Sequence, residues 1–78
     1  MKVVQVVYKR KNNYQNYYEI IGTTLISFDY LFMIRLFFQC TEKEAIEKVI
    51  EHKHEWKPWQ ITIKEINHLD DGEIKNGN

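Results

Sequence analysis

The sequence predicts a small α+β domain, a two-layer sandwich in which a three- to four-stranded sheet packs against one main helix in the order β-β-β-α-β. Three observations lead to this fold class. Residues 2–9 are rich in β-branched side chains, a capping box stands directly after residue 40, and apolar and polar residues alternate after Pro58. The 78 residues are enough for one domain. We assign residues 1–72 to this domain and expect residues 73–78 to form a disordered tail.

The first strand is predicted from Lys2 to Lys9, and its two faces are both largely apolar. Strands of this kind lie inside a sheet, with other elements covering both faces. A turn at residues 10–13 should lead to a second strand from Tyr14 to Ile21, because asparagine tolerates left-handed backbone angles. Gly22 is interpreted as a bend or bulge at the end of that strand.

The most apolar run of the chain extends from Leu31 to Phe38, and we interpret it as a third strand. A buried strand that leads into a capped helix is typical of a β-α-β unit. Because nearly every position in the run is apolar, its periodicity also permits a buried helix from about Phe28 to Gln39.

The main helix is predicted from Glu42 to Trp56, behind the capping box Thr41-Glu42-Lys43-Glu44. Pro58 should end it, since the residue before a proline is disfavoured in helical angles. Residues 59–66 then read as a half-exposed edge strand, and the chain should turn away over residues 67–72. If this strand were parallel to the third one, the crossover between them would be right-handed.

One helix can cover only one face of the sheet, whereas the predicted third strand is apolar on both faces. Large apolar patches rarely stay exposed on monomers, so either loops or a second chain should cover the remaining face. Arg35 is expected either to pair with Glu19 or Asp29 or to take part in the contact with the partner. The candidate partner interface consists of Phe32, Ile34, Arg35 and Phe37.

These features predict a non-enzymatic binding module that acts through protein–protein association and forms a homodimer. A small domain without a catalytic motif would suit an accessory or inhibitory protein of a mobile element. No cofactor is expected, and the single cysteine, Cys40, favours a reducing cytoplasm. The apolar zone from Leu25 to Phe38 is interrupted by charges and is shorter than the roughly 20 residues of a membrane-spanning helix, so no membrane contact is expected.

Nucleic-acid binding is the alternative function that the sequence suggests. The net charge is zero, but residues 1–40 carry five cations and two carboxylates, whereas residues 41–78 carry six cations and nine carboxylates. Cations can bind phosphates and tyrosines can stack on bases, so a basic hairpin flanked by tyrosines has the required chemistry. The candidate residues are Lys9, Arg10, Lys11 and Tyr14.

The predicted main helix also carries an acidic stripe, formed by Glu44, Glu47, Glu51 and Glu55. Residues three and four apart share one helix face, so such a row could imitate nucleic-acid phosphates. Because lysines interleave with the stripe, an ordinary solvated helix face explains it better. Histidines are common metal ligands, and the chain has three of them: His52, His54 and His68. His52 and His54 are two positions apart on the predicted helix, so their side chains point in nearly opposite directions and cannot easily bind one ion. We therefore predict no metal site.

Overall fold

The computed structural model describes residues 2–11 and 21–70. Their elements are β1 (Val3–Arg10), β2 (Ile21–Ser27), α1 (Phe28–Phe38), α2 (Glu42–His54), a 3-10 helix (Pro58–Gln60) and β3 (Ile61–Leu69). The strands form one antiparallel sheet in the order β2-β1-β3, and both helices pack on the same side of it. The predicted α+β class is therefore confirmed. The predicted element order holds only in part, because the described residues contain two helices and not one.

Strand β1 lies in the centre of the sheet, as its two apolar faces predicted. Val4, Val6 and Tyr8 point toward the helices and are each at most 1% exposed. On the opposite face Val3 is also buried, while Val7 is partly exposed. The pairing of β1 with β3 shifts between Val7 and Tyr8, so Lys64 is the extra residue of a β-bulge. β3 occupies a sheet edge, as predicted for the last strand.

The predicted third strand is wrong, because residues 28–38 form the helix α1. Local polar residues explain where this helix begins and ends. The Ser27 hydroxyl accepts a hydrogen bond from the backbone N–H of Tyr30, and Gln39 ends the helix in the left-handed region at φ 52°. Since residues 28–38 form no strand, the crossover that was expected if they ran parallel to the last strand does not exist either. The argument that a partner must cover the second apolar face of a third strand therefore fails, because residues 31–38 are not a strand.

Helix α2 begins at the predicted capping box. The Thr41 hydroxyl accepts a hydrogen bond from the Glu44 backbone N–H, and the Glu44 carboxylate accepts one in return from the Thr41 N–H. The helix ends two residues earlier than predicted, because Glu55 adopts left-handed angles at φ 58° before Pro58 is reached. Ala45, Ile46 and Ile50 are fully buried against the sheet. They are the centre of the apolar stripe that the sequence predicted.

The last strand starts later than predicted. Residues 58–60 form the 3-10 helix, so Trp59 is 56% exposed and does not point inward. Ile61 is buried and Ile63 packs partly against the core, in agreement with the predicted alternation. The predicted turn from residue 67 onward is wrong for Asn67 to Leu69, which remain in β3. Most of the predicted second strand, residues 14–20, and the predicted tail lie outside the described residues.

Candidate functional site

The most unusual surface of the molecule is on α1. Only Leu31 of this helix is buried, and Ile34 is half-buried toward α2. Phe28 is also half-buried and packs against the core, whereas the remaining large apolar side chains of α1 are exposed to solvent. We call five of them the α1 apolar face, namely Tyr30 (54% exposed), Phe32 (58%), Met33 (66%), Leu36 (62%) and Phe37 (81%).

This exposure is large for a domain of this size. At about 200 Å² for a whole aromatic side chain, Tyr30, Phe32 and Phe37 alone leave roughly 400 Å² in water. The largest apolar patch of a typical monomer is about 300–600 Å². The three aromatic side chains alone reach this range, and Met33 and Leu36 add further exposed area. A helix that is apolar around its whole circumference is normally buried on all sides. The α1 apolar face is therefore the best candidate for a contact surface.

In a helix, the residues of the predicted partner interface have different neighbours from those they would have on a strand. On a strand, Phe32 and Ile34 would share one face and Phe37 would lie on the other. On α1, Phe32 lies beside Leu36 one turn later, Phe37 lies beside Met33, and Ile34 turns toward α2. Arg35 is exposed, and it forms no ion pair within residues 2–11 and 21–70. Leu36 and Met33 are interface candidates that the strand assignment did not identify.

An open groove of about 830 Å³ lies between α1 and the end of α2. Ile34, Phe38 and Val49 contribute apolar surface to it, and the Lys48 ammonium lies 4.6 Å from the centre of the Phe38 ring. The charged groups around the groove are of both signs, so the groove does not select a ligand by charge. They are Lys48, Lys53, Lys57, Glu51 and Glu55.

A buried polar contact joins the sheet to the end of α2. The Tyr8 hydroxyl lies 2.6 Å from Nε2 of His54, and the His54 ring stacks on Trp56 with centroids 4.1 Å apart. Burial raises the pKa of Tyr8 and, together with the nearby charge of Lys53, lowers the pKa of His54. The imidazole is therefore neutral near pH 7, and one hydrogen bond joins the Tyr8 hydroxyl to Nε2 of His54, with its direction set by the tautomer of the ring. This contact closes the core and leaves His54 unable to act as a metal ligand through Nε2.

The His54 contact predicts a loss of stability in mild acid. Because folding lowers the pKa of His54 below its ordinary 6.5, the unfolded chain takes up a proton first as the pH falls. The contribution of His54 is therefore complete above about pH 6.5 and is lost as the pH falls toward the lower folded-state pKa. Disruption of the Tyr8–His54 hydrogen bond on protonation should cost about 1 kcal/mol. Urea unfolding at pH 7.5 and pH 5.5 measures this change.

The matched variants for this prediction are His54→Gln and His52→Gln. His52 is exposed on the same helix, so its substitution should leave the pH dependence nearly unchanged. His54→Gln should flatten it, because glutamine does not titrate. An equal pH dependence in both variants would assign the effect to other groups.

The basic segment predicted for nucleic-acid binding lies at the end of β1. Arg10 pairs with Ile61 of β3, and the Lys11 backbone N–H donates to the carbonyl of Gln60. Lys11 is exposed, whereas Lys9 and Arg10 are partly buried. Tyr8 points into the core and cannot stack on a base. Tyr14, the other candidate of this set, lies outside the described residues.

The acidic stripe is interrupted at both ends. Hydrogen bonds from the backbone and hydroxyl of Thr41 hold the Glu44 carboxylate and lower its pKa. Glu55 lies beyond the last residue of α2, in left-handed angles. Glu47 and Glu51 remain on the helix and are partly buried. The four carboxylates therefore do not form the regular row that the sequence predicted.

Two other candidates have ordinary structural surroundings. The His68 ring lies 2.8 Å from the Glu42 carboxylate, and Cys40 packs against the edge of the core. In the part of the chain that the structure describes, no group of three or more His, Cys, Asp or Glu residues could hold a metal ion. Over the same residues, no helix is long and apolar enough to cross a membrane. Comparison of the chain with protein-family models, curated proteins and solved structures found no match.

Proposed function

We propose that this protein is a non-enzymatic binding module that associates with another protein chain through the α1 apolar face. The observation that supports this proposal is the exposure of Phe32, Met33, Leu36 and Phe37 on one helix. Complete burial of each such side chain is worth about 1.5–3 kcal/mol, so a partner that covers several of them gains enough to bind. An accessory or inhibitory role in a mobile element is one setting for such a module.

Shape also favours a protein as the partner. A helix with large side chains at successive turns fits into a groove or against another helix, which is a recurrent mode of protein recognition. Aromatic residues, methionine and arginine are enriched in the centres of protein interfaces. The α1 apolar face combines Phe32, Phe37 and Met33 with the exposed Arg35 at its border.

Photo-crosslinking tests the proposal with a closely matched control. The photoreactive residue benzoylphenylalanine replaces either Phe32 or Trp59, two aromatic side chains that are 58% and 56% exposed. We expect the position 32 variant to form a crosslinked product with a second protein chain at about ten times the yield of the position 59 variant. The purified protein and an extract of its source cells are both irradiated, and excess wild-type protein should compete in each.

Either a second copy or a different protein in the product supports the proposal. Equal yields from positions 32 and 59 in both samples, or a product that wild-type protein does not compete away, would overturn it.

Nucleic-acid binding through Lys9, Arg10 and Lys11 remains the alternative. It has less support, since Tyr8 is buried and unavailable for stacking. A low-salt gel shift that compares the wild-type chain with the triple alanine variant decides between the two. Binding that depends on these three cations would favour the alternative.

A further inference from the structure

The outer edge of β2 is the least protected part of the sheet. β2 pairs with β1 on one side, and among the residues that the structure describes no strand pairs with its other side. Its seven residues, Ile21–Ser27, include no charged residue and no proline, and their pairing with β1 is regular. Charges, prolines and bulges are the features by which edge strands avoid pairing with other chains. β2 therefore offers an open template for a further strand.

The opposite edge of the sheet has the protection that β2 lacks. β3 contains the β-bulge at Lys64, and both Lys64 and Glu65 are exposed there. A bulge disrupts the regular spacing of backbone groups that a neighbouring strand needs. Of the two sheet edges, the β2 edge is therefore the one suited to a new strand.

One hydrogen bond shows which backbone groups of β2 point outward. The N–H of Phe28 donates to the carbonyl of Lys2, so these two residues form a hydrogen-bonded pair that continues the β1–β2 register. Such pairs recur at every second residue, so the even-numbered residues of β2 direct their N–H and C=O groups to β1. The odd-numbered residues, among them the exposed Thr23 and Leu25, therefore direct theirs to the outer edge.

Helix α1 forms an apolar wall above the same edge. α1 packs over β2, whereas α2 packs over β3. Ile34 and Phe38 point into the groove between the two helices. Phe32 and Leu36 each precede one of them by two positions, a rotation of about 200°, so they lie on the side of α1 away from α2. A strand added beside β2 therefore runs beneath Phe32 and Leu36 and covers part of the α1 apolar face.

We propose that a second copy of the chain supplies this strand, and that the β2 strands of the two copies pair antiparallel about a two-fold axis perpendicular to the sheet. The inference specifies the partner of the proposed function, on which it rests in part. The register centred on Thr24 pairs all seven residues of each β2, whereas a shift by two residues would pair five. In this register the outward backbone groups of Thr23 meet those of Leu25 of the partner subunit.

β2 itself has the properties that this edge requires of its occupant. It is extended and uncharged, so no like charges oppose each other when two copies pair. The two-fold axis fills the open edges of both copies at once, and it turns the Phe32 and Leu36 side of each α1 toward the other copy. Because the β3 edges are protected, association ends at a closed dimer in which two three-stranded sheets become one.

Cysteine substitutions test the register. Thr24 would face its own copy in a non-hydrogen-bonded pair, with Cα atoms about 4.5 Å apart, which a disulfide can bridge. Thr23 would lie two residues away from its own copy along the strand, about 8 Å in all, which is too far for a disulfide. In a Cys40→Ser background, Thr24→Cys should therefore form a disulfide-linked dimer at about ten times the yield of Thr23→Cys. Mild oxidation followed by non-reducing electrophoresis measures both yields.

Thr23→Pro tests the backbone pairing itself. The Thr23 N–H points to the outer edge, so proline removes a donor to the partner and leaves the bonds between β1 and β2 in place. Dimerisation should weaken about tenfold or more, because the two-fold axis removes the donor from both copies. Thr23→Ala is the matched control, since it loses the same side chain but keeps the N–H, and it should dimerise as wild type does. Sedimentation equilibrium measures all three proteins after circular dichroism has verified their folding.

A wild-type chain that stays monomeric at millimolar concentration would overturn the dimer. Equal disulfide yields from positions 23 and 24 would overturn the pairing through β2, and this comparison holds even if Thr23→Pro does not fold. Equal dimerisation of a folded Thr23→Pro variant and Thr23→Ala would overturn it as well. In each case a competed crosslink from position 32 to a different protein would still support the proposed function, so the failures are distinguishable.

Discussion

Leu31→Ala is expected to lower the free energy of unfolding by about 2–5 kcal/mol. Leu31 is 3% exposed, and it is the only residue of α1 that is buried in the core. Truncation would leave a cavity where the helix is anchored, and the surrounding side chains can fill it only in part. Because a domain of this size is stable by about 4–12 kcal/mol, the loss is a large fraction of the total. Urea denaturation at low protein concentration measures it.

Leu36→Ala is the matched control, since it makes the same change five residues later on the same helix. Leu36 is 62% exposed, so its truncation should change monomer stability by less than about 0.5 kcal/mol. It should nevertheless weaken association with a partner chain, because Leu36 belongs to the α1 apolar face. Similar losses of stability in the two variants at low concentration would contradict the burial pattern of α1. Low concentration matters, because any self-association would itself stabilise the folded state.

Gly22→Ala is expected to lower the unfolding free energy by about 1–3 kcal/mol, although it adds only a methyl group. A Cβ at Gly22 would lie 2.7 Å from both Cζ and the hydroxyl oxygen of Tyr8, far inside normal contact. The Tyr8 ring cannot easily move away. It is 1% exposed, bonded to His54 and packed edge-on against Trp56. Thermal and urea unfolding of the variant measure the cost.

A double-mutant cycle with Tyr8→Leu isolates this contact. Tyr8→Leu alone should be destabilising, because it leaves a cavity and an unpaired His54. In the Tyr8→Leu background the further change Gly22→Ala should cost much less than in wild type, since the ring is gone. Equal costs of Gly22→Ala in both backgrounds would show that the glycine is needed for another reason.

The features that could be predicted from sequence are those specified by neighbouring residues. The capping box at Thr41 and Glu44 fixes where α2 begins, and the run of valines in β1 indicates the central strand of the sheet. The apolar excess of residues 31–38 could be recognised before its conformation was known. The predicted interface at Phe32, Arg35 and Phe37 rested on this excess of apolar residues and not on their conformation. It therefore remains a prediction although the strand assignment was wrong.

The features that could not be predicted either lack a periodic signal in the sequence or depend on residues far apart in the chain. The strand assignment for residues 31–38 failed because a run that is apolar at nearly every position has no period, and only Ser27 and Gln39 beside the helix indicate it. Gly22 looked like a bend, whereas it lies in regular pairing opposite Tyr8 and leaves room for the ring. The bond from Tyr8 to His54 joins residues 46 positions apart, which no local pattern reveals.

The sequence by itself determined the α+β class, the central strand and an apolar surplus too large for one small core. These follow from composition and from interactions within a few residues. Tertiary structure decided that the surplus lies on a helix, where Phe32 adjoins Leu36 and Met33 adjoins Phe37. The physical reason is the difference in period. A strand alternates its side chains between two faces, whereas a helix gathers residues three and four apart on one surface and so creates the α1 apolar face.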